Sequence, residues 1–146
     1  KTVRASVESA GPTATNAGVA LIEEASDDSI VVTGDPVRLG QSCDNLISNA
    51  LKFTPRGGTV TVELTRSETE ALITVRDTGL GIAQAELDQL FSRFFRASTA
   101  TRNAVPGVGL GLTITKAIVT AHSGHMEVES EEGVGTCFTI HLPLLR

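Results

Sequence analysis

The sequence predicts an α+β fold, and three features predict it. Two pairs of short segments, within residues 59–76 and 126–142, alternate or cluster β-prone residues and are joined by short polar or glycine turns, as antiparallel hairpins are. Two longer segments, one starting at Asp35-Pro36 and one opening at Gly107, carry apolar residues at helical spacing. Glycine turns stand at the end of the first hairpin and at the start of the last helix, where a ligand edge is expected.

In chain order, Val3, Val7, Ala10 and Ala14 recur at helical spacing, so an opening amphipathic helix is expected despite Gly11-Pro12. A short strand pair is expected next, Val19 to Ile22 and Ile30 to Val32, with Glu23 to Ser29 as the turn. Asp35 is a helix N-cap type and Pro36 suits the first helical position, where its missing N–H costs nothing. That helix should run to about Phe53, with Leu39, Cys43, Leu46, Ile47 and Ala50 on one side and Gln41, Asn45, Asn49 and Lys52 on the other.

Val60, Val62 and Leu64 then alternate with Thr59, Thr61 and Glu63 as in a half-buried strand, and a second strand returns from Ala71 to Arg76. Asp77 follows at that strand's end, before Thr78-Gly-Leu-Gly-Ile82. Leu87, Leu90, Phe91 and Phe94 are spaced for a further helix, and Ala97 to Pro106 has the small, aperiodic composition of a lid. In the helix after Gly107, the residues Leu110, Ile114, Ala117, Ile118 and Ala121 are expected to share the apolar face, with Ser123-Gly124 as its stop. Met126 to Ser130 and Thr136 to Leu142 form the final hairpin.

The chain of 146 residues is long enough to close one core without metal or disulfide, and residues 1–146 read as a single domain. Hydrophobic and charged fractions of 40% and 20% are those of a globular protein without a membrane-length apolar run. The net charge of −5 argues against nonspecific nucleic-acid binding, and with no Trp or Tyr and only five Phe, stacking platforms for single strands are scarce. Cys43 and Cys137 lie far apart in apolar surroundings and read as buried reduced thiols, which suits a cytoplasmic compartment. A chain opening at Lys1 without a signal peptide reads as an excised piece of a longer protein.

Three constellations carry chemistry. Asn45, Asn49 and Lys52 put two amides and an ammonium on one helix face, where an amide oxygen can ligate a hard cation and the ammonium can meet a phosphate. The plain alternative is a solvated helix face. Asp77 before Gly79 and Gly81 sets a carboxylate where backbone can approach a planar ring, and a carboxylate accepts from the exocyclic amine of adenine but not from guanine. Taken alone it is an ordinary turn. Gly107, Gly109 and Gly111 before a helix suggest backbone N–H groups turned toward an anion, though the run lacks both the dinucleotide fingerprint and the P-loop ending.

Together and in this order, these segments resemble the catalytic and ATP-binding domain of bacterial two-component sensor histidine kinases, within the group that includes gyrase-type ATPases. Asn45 to Pro55 is similar to that family's asparagine box, Asp77 to Ile82 to its first glycine box and Phe91 to Arg96 to its phenylalanine box. Gly107 to Leu112 is similar to the second glycine box and Gly133 to Phe138 to the last. The resemblance implies the two-layer α/β sandwich of the Bergerat (GHKL ATPase) type, a mixed, mostly antiparallel sheet backed by three helices with a flexible ATP lid. It implies Mg2+ held by Asn49, with Asn45 beside the metal, Lys52 on a phosphate and Arg96 on the γ-phosphate. Asn45, Lys52 and Arg96 are then the catalytic candidates. It further implies adenine bound by Asp77 with Gly79, Gly81, Ile82, Phe94 and Thr136 around it, and the phosphates wrapped by Gly107, Gly109, Leu110, Gly111 and Leu112.

The implied reaction is transfer of the γ-phosphate of ATP to a histidine on the kinase's own dimerisation domain, with a response regulator downstream. His122, His125 and His141 lack the His-Glu or His-Asp context of the acceptor and read as structural or surface residues. The isolated domain is accordingly expected to be monomeric and weakly active, and the full-length kinase a homodimer that is either soluble or anchored in the inner membrane. Pro106 replaces a glycine common at the start of the second glycine box and restricts the lid hinge. Two rivals remain, an anti-sigma type serine kinase and a degenerate nucleotide-sensing module.

Overall fold

The computed structural model describes residues 2–24, 32, 34–81 and 110–144, with backbone alone at 2–4 and 110–113. The described elements are α1 (Thr2–Ala17), β1 (Ala20–Glu24), α2 (Pro36–Phe53), β2 (Thr59–Arg66), β3 (Glu70–Asp77), α3 (Leu110–Ala121), β4 (His125–Glu131) and β5 (Gly135–Pro143). The strands form one sheet in the order β1-β2-β3-β5-β4. The β1/β2 pair is parallel and the other three are antiparallel.

Strict two-residue alternation decides the layering. Val60, Val62 and Leu64 of β2, Ile73 and Val75 of β3, and Phe138, Ile140 and Leu142 of β5 are buried on one face. The helices cover that face: Leu46 and Ile47 of α2 and Val119 of α3 are at most 1% exposed within the same cluster. The opposite face carries Thr61, Glu63, Thr74 and Thr139, all partly exposed, so the domain has two layers and one open sheet face.

Helix α2 begins where the sequence sets it. Asp35 is in extended conformation, and its Oδ1 accepts from the N–H groups of Val37 (2.9 Å) and Arg38 (3.4 Å), with Pro36 in the first turn. Helix α1 continues through Gly11 and Pro12. A proline in a helix interior costs about 3 kcal/mol. Packing offsets it here, because Ser6 and Ala14 are buried and Val7, Ala10 and Ala17 lean on the core.

Three expectations change. Strand β1 runs on through Glu23 and Glu24, the residues expected to turn, and pairs in parallel with β2 from Ala20↔Thr59 to Glu24↔Glu63. Of the expected partner, Ile30 and Val31 lie outside the described residues and Val32 is in no strand. In α3, Thr115, Ile118 and Val119 face inward while Ile114, Ala117 and Ala121 are exposed. The expected set and the observed one share Ile118. This helix is apolar nearly all round, so periodicity alone does not say which side meets α2 and the sheet. Cys43 is buried as expected, but Cys137 lies half-exposed on the open face of β5.

Candidate functional site

The polar stripe of α2 and the end of β3 meet. At the C-terminal end of α2, the Phe53 carbonyl accepts from the N–H of Leu80 (3.0 Å), and a Cβ on Gly79 would stand 2.4 Å from that same oxygen. Asn49 lies one turn before Phe53 on the same side of α2, and Lys52 is adjacent to it. The turn after Asp77 is therefore docked against the part of α2 that carries Asn49 and Lys52.

The side chains along this stripe differ. The Asn45 Nδ2 donates to Thr115 Oγ1 at 3.3 Å, tying α2 to α3 through a fully buried threonine. Asn49 is partly buried and Lys52 exposed, and neither makes a side-chain hydrogen bond or ion pair among the described residues. The stripe thus has an anchored end at Asn45 and two donor-bearing groups left toward the Asp77 turn.

Asp77 closes β3, paired with Val60 on one side and Thr136 on the other, and is only 6% exposed. Its Oδ1 accepts from the N–H groups of Gly79 (2.9 Å) and Thr136 (3.2 Å), whereas Oδ2 makes no hydrogen bond among the described residues. Burial disfavours the charged form and pushes the carboxyl up from 3.8 to about 6, against the two backbone N–H donors, which favour the anion. At neutral pH it remains mostly ionised. A buried carboxylate with one oxygen fixed by backbone presents the other as a fixed acceptor.

The glycines of this turn have a reason inside the protein. Gly81 adopts a φ of 72°, and a Cβ there would lie 2.1 Å from the Glu131 carbonyl oxygen. The Gly133 N–H donates to the Leu80 carbonyl at 2.7 Å, so the β4–β5 turn clamps the Asp77 turn from the far side. Thr136 is buried, with its hydroxyl 2.9 Å from the Ser130 Oγ.

Of the other site candidates, Ile82, Phe94, Arg96, Gly107 and Gly109 lie outside the described residues, as do the expected helix around Leu87 to Phe94 and the lid from Ala97 to Pro106. Leu110, Gly111 and Leu112 form the first turn of α3, described by backbone only. Sequence reasoning does not find Thr115, whose hydroxyl is the partner of Asn45, or Ser130, which holds Thr136. A threonine in an apolar helical run is the available signal for the first. His122 is structural: its Nδ1 lies 2.8 Å from the Ile118 carbonyl oxygen and its Nε2 accepts the Asp35 N–H at 3.0 Å, so the ring carries its proton on Nδ1 and joins α3 to the start of α2. The Cys43 thiol is pushed up to about 12, first by burial and then by Asp44, and is chemically quiet.

Comparison with known proteins agrees with this geometry. A family model described as histidine kinase-, DNA gyrase B- and HSP90-like ATPase matches residues 34–146. The circadian input-output histidine kinase CikA of Synechococcus elongatus is 44% identical over 113 residues, 77% of this chain and 15% of that protein. Sensor histidine kinase WalK of Bacillus subtilis is 41% identical over 127 residues, 86% of this chain and 21% of that protein. The chain thus spans less than a third of the length of these curated relatives. Among solved structures, a mycobacterial sensor histidine kinase, MprB, superposes with a TM-score of 0.85 at 30% identity, covering 98% of this chain and 93% of that one. Full-length ShkA in complex with AMPPNP gives a TM-score of 0.84 at 28% identity, covering 98% of this chain and 29% of that one. The chain belongs to the histidine kinase-, DNA gyrase B- and HSP90-like ATPase family, and its relatives there are sensor histidine kinases.

Proposed function

We propose that this domain binds Mg-ATP between the polar stripe of α2 and the Asp77 turn, and delivers the γ-phosphate to a histidine on the dimerisation domain of its kinase. The observation that carries the reading is Asp77: a buried carboxylate whose Oδ1 is held by two backbone N–H groups and whose Oδ2 has no partner among the described residues. Such a group needs a donor, and the exocyclic amine of adenine supplies one where guanine offers an acceptor. ShkA, which shares this fold, forms a complex with the ATP analogue AMPPNP, and that supports the same reading.

The residues present fit magnesium. Asn49 offers an amide oxygen that makes no other hydrogen bond among the described residues, and amide oxygen is a donor hard cations accept. A bound Mg2+ would neutralise charge on the transferring phosphates. Lys52 is placed to meet a phosphate as a point charge, Asn45 holds the α2–α3 spacing through Thr115, and Thr136 keeps Asp77 oriented through its backbone N–H. Arg96, Phe94, Ile82 and the glycines at 107, 109 and 111 complete the site in this reading, Arg96 at the γ-phosphate.

The partners are the acceptor-histidine domain of the same kinase and, beyond it, a response regulator; the domain itself acts as a monomer within a homodimeric kinase. Among the described residues no helix is long and apolar enough to cross a membrane. Mixing the domain with Mg-ATP and a histidine-bearing dimerisation domain tests the activity. An acid-labile, base-stable phosphate on the acceptor is expected. A hydroxyl phosphoester would instead indicate a serine kinase, and tight ATP binding with no transfer would indicate a nucleotide-sensing module.

A further inference from the structure

The open face of the sheet holds a second cluster, at the other end of β3 from Asp77. Among the described residues, Glu70, His125 and His141 each bring one donor atom within 4.8 Å of the others. They come from three neighbouring strands: His125 of β4 is opposite His141 of β5, which is opposite Leu72 of β3, two residues from Glu70 on the same face. The two imidazoles stack with centroids 4.2 Å apart and planes 9° from parallel. Their Nδ1 atoms approach one carboxylate, His141 at 3.2 Å from Glu70 Oε1 and His125 at 4.0 Å from Glu70 Oε2.

On its other side, the buried His141 Nε2 lies against the carboxylate of Glu127, diagonally across the β4–β5 pair, without a hydrogen bond to it; ligation through Nδ1 would put the ring proton on Nε2, facing that carboxylate. A carboxylate on the far nitrogen fixes the tautomer of a ligating imidazole and raises the basicity of its near nitrogen. A simple ion pair would need one histidine. Here one nitrogen from each imidazole and one carboxylate oxygen lie within 4.8 Å of one another, and a turn of the His125 side chain, stacked on His141 but 57% exposed, would aim all three at one ion.

We propose that Glu70, His125 and His141 form a binding site for one borderline divalent transition-metal ion of the Zn2+ type, with Glu127 orienting His141. Two imidazoles and a carboxylate are the donor set such ions prefer, whereas Mg2+ and Ca2+ seek oxygen alone. Three protein donors leave a coordination position for water or a further ligand. The ion would staple β3, β5 and β4 together. The site is independent of the nucleotide site, since Glu70 and Asp77 lie seven residues apart on opposite faces of β3, about 23 Å along an extended strand.

Calorimetric titration of ZnCl2 into tag-free, chelator-treated protein without nucleotide tests this. Saturable binding of one equivalent is expected, with a Zn2+-dependent rise in Tm. His125→Ala and the isosteric Glu70→Gln should each weaken that binding at least about tenfold, and Glu127→Gln by about 10–100-fold, with circular dichroism unchanged. Asn49→Ala should leave it intact. The proposal is overturned if wild-type protein shows no one-equivalent binding tighter than about 100 μM, if the folded His125 and Glu70 variants bind as wild type does, or if Asn49→Ala removes the binding.

Discussion

Asp77 and Glu70 are carboxylates at the two ends of one strand, and β3 turns them to opposite faces. Asp77 faces the helical layer, where burial drives its carboxyl up to about 6 and, among the described residues, only backbone N–H groups hold it. Glu70 faces the open side, 32% exposed by its side chain, and its neighbours are two histidine rings. The same chemical group becomes an oriented acceptor in one place and part of a polydentate cluster in the other. What separates them is which side of a period-two strand they occupy and what that side packs against.

The contrast between the faces is sharpest in stability. Ile47→Ala, at a fully buried α2 position, is expected to cost about 2–5 kcal/mol in urea unfolding, whereas Thr61→Ala on the open face should stay within about 0.5 kcal/mol. Equal effects would mean that the open face is covered by something that packs like the helices. Next in size, Asp77→Ala should weaken ATP binding at least about tenfold through the loss of a charge-assisted bond of about 1.5–3 kcal/mol. Unchanged affinity in calorimetry would remove Asp77 from the site.

The raised carboxyl of Asp77 also sets a pH dependence. Because its folded value of about 6 exceeds the ordinary 3.8, the folded state binds this proton more tightly than the unfolded chain does. The ionised form is thus a cost that is fully present above about pH 6 and is relieved as pH falls toward 4. Between pH 7 and pH 5 the nucleotide-free protein should gain about 1 kcal/mol that Asp77→Asn does not gain. Other carboxylates titrate in both proteins and cancel in the difference. Parallel pH profiles for the two would contradict the assigned environment.

Smaller again, Thr115→Val removes the acceptor of the Asn45 amide at the α2–α3 contact and should cost about 1 kcal/mol in urea unfolding. No loss would show that the Asn45–Thr115 bond adds nothing to the α2–α3 contact.

Much of this is legible in the residues alone, for identifiable reasons. Asp35-Pro36 states a helix start in its own chemistry, and the Val60-Val62-Leu64 alternation states a strand and its buried side. Asp77 before two glycines is by itself an ordinary turn, and it stands out only through its order with the asparagine-bearing helix and the later glycine runs. The parallel partner of β1 is not legible, since pairing across some forty residues leaves no local trace. Nor is the inward side of α3, whose apolar residues nearly encircle it. Sequence alone gives Gly79 and Gly81 the task of making room for a base. The Phe53 and Glu131 carbonyls that crowd them belong to distant segments and exist only in the fold. The histidines show the same limit, for His125 and His141 lie sixteen positions apart in the chain and β-pairing sets them face to face.

The most direct test of the central claim is a crystal structure with Mg2+ and a non-hydrolysable ATP analogue. The adenine amine is predicted to lie roughly 3 Å from Asp77 Oδ2, with the metal on the Asn49 amide oxygen and the phosphates toward Lys52. A nucleotide seated elsewhere, or one seated here with Asp77 facing no part of it, would contradict the account.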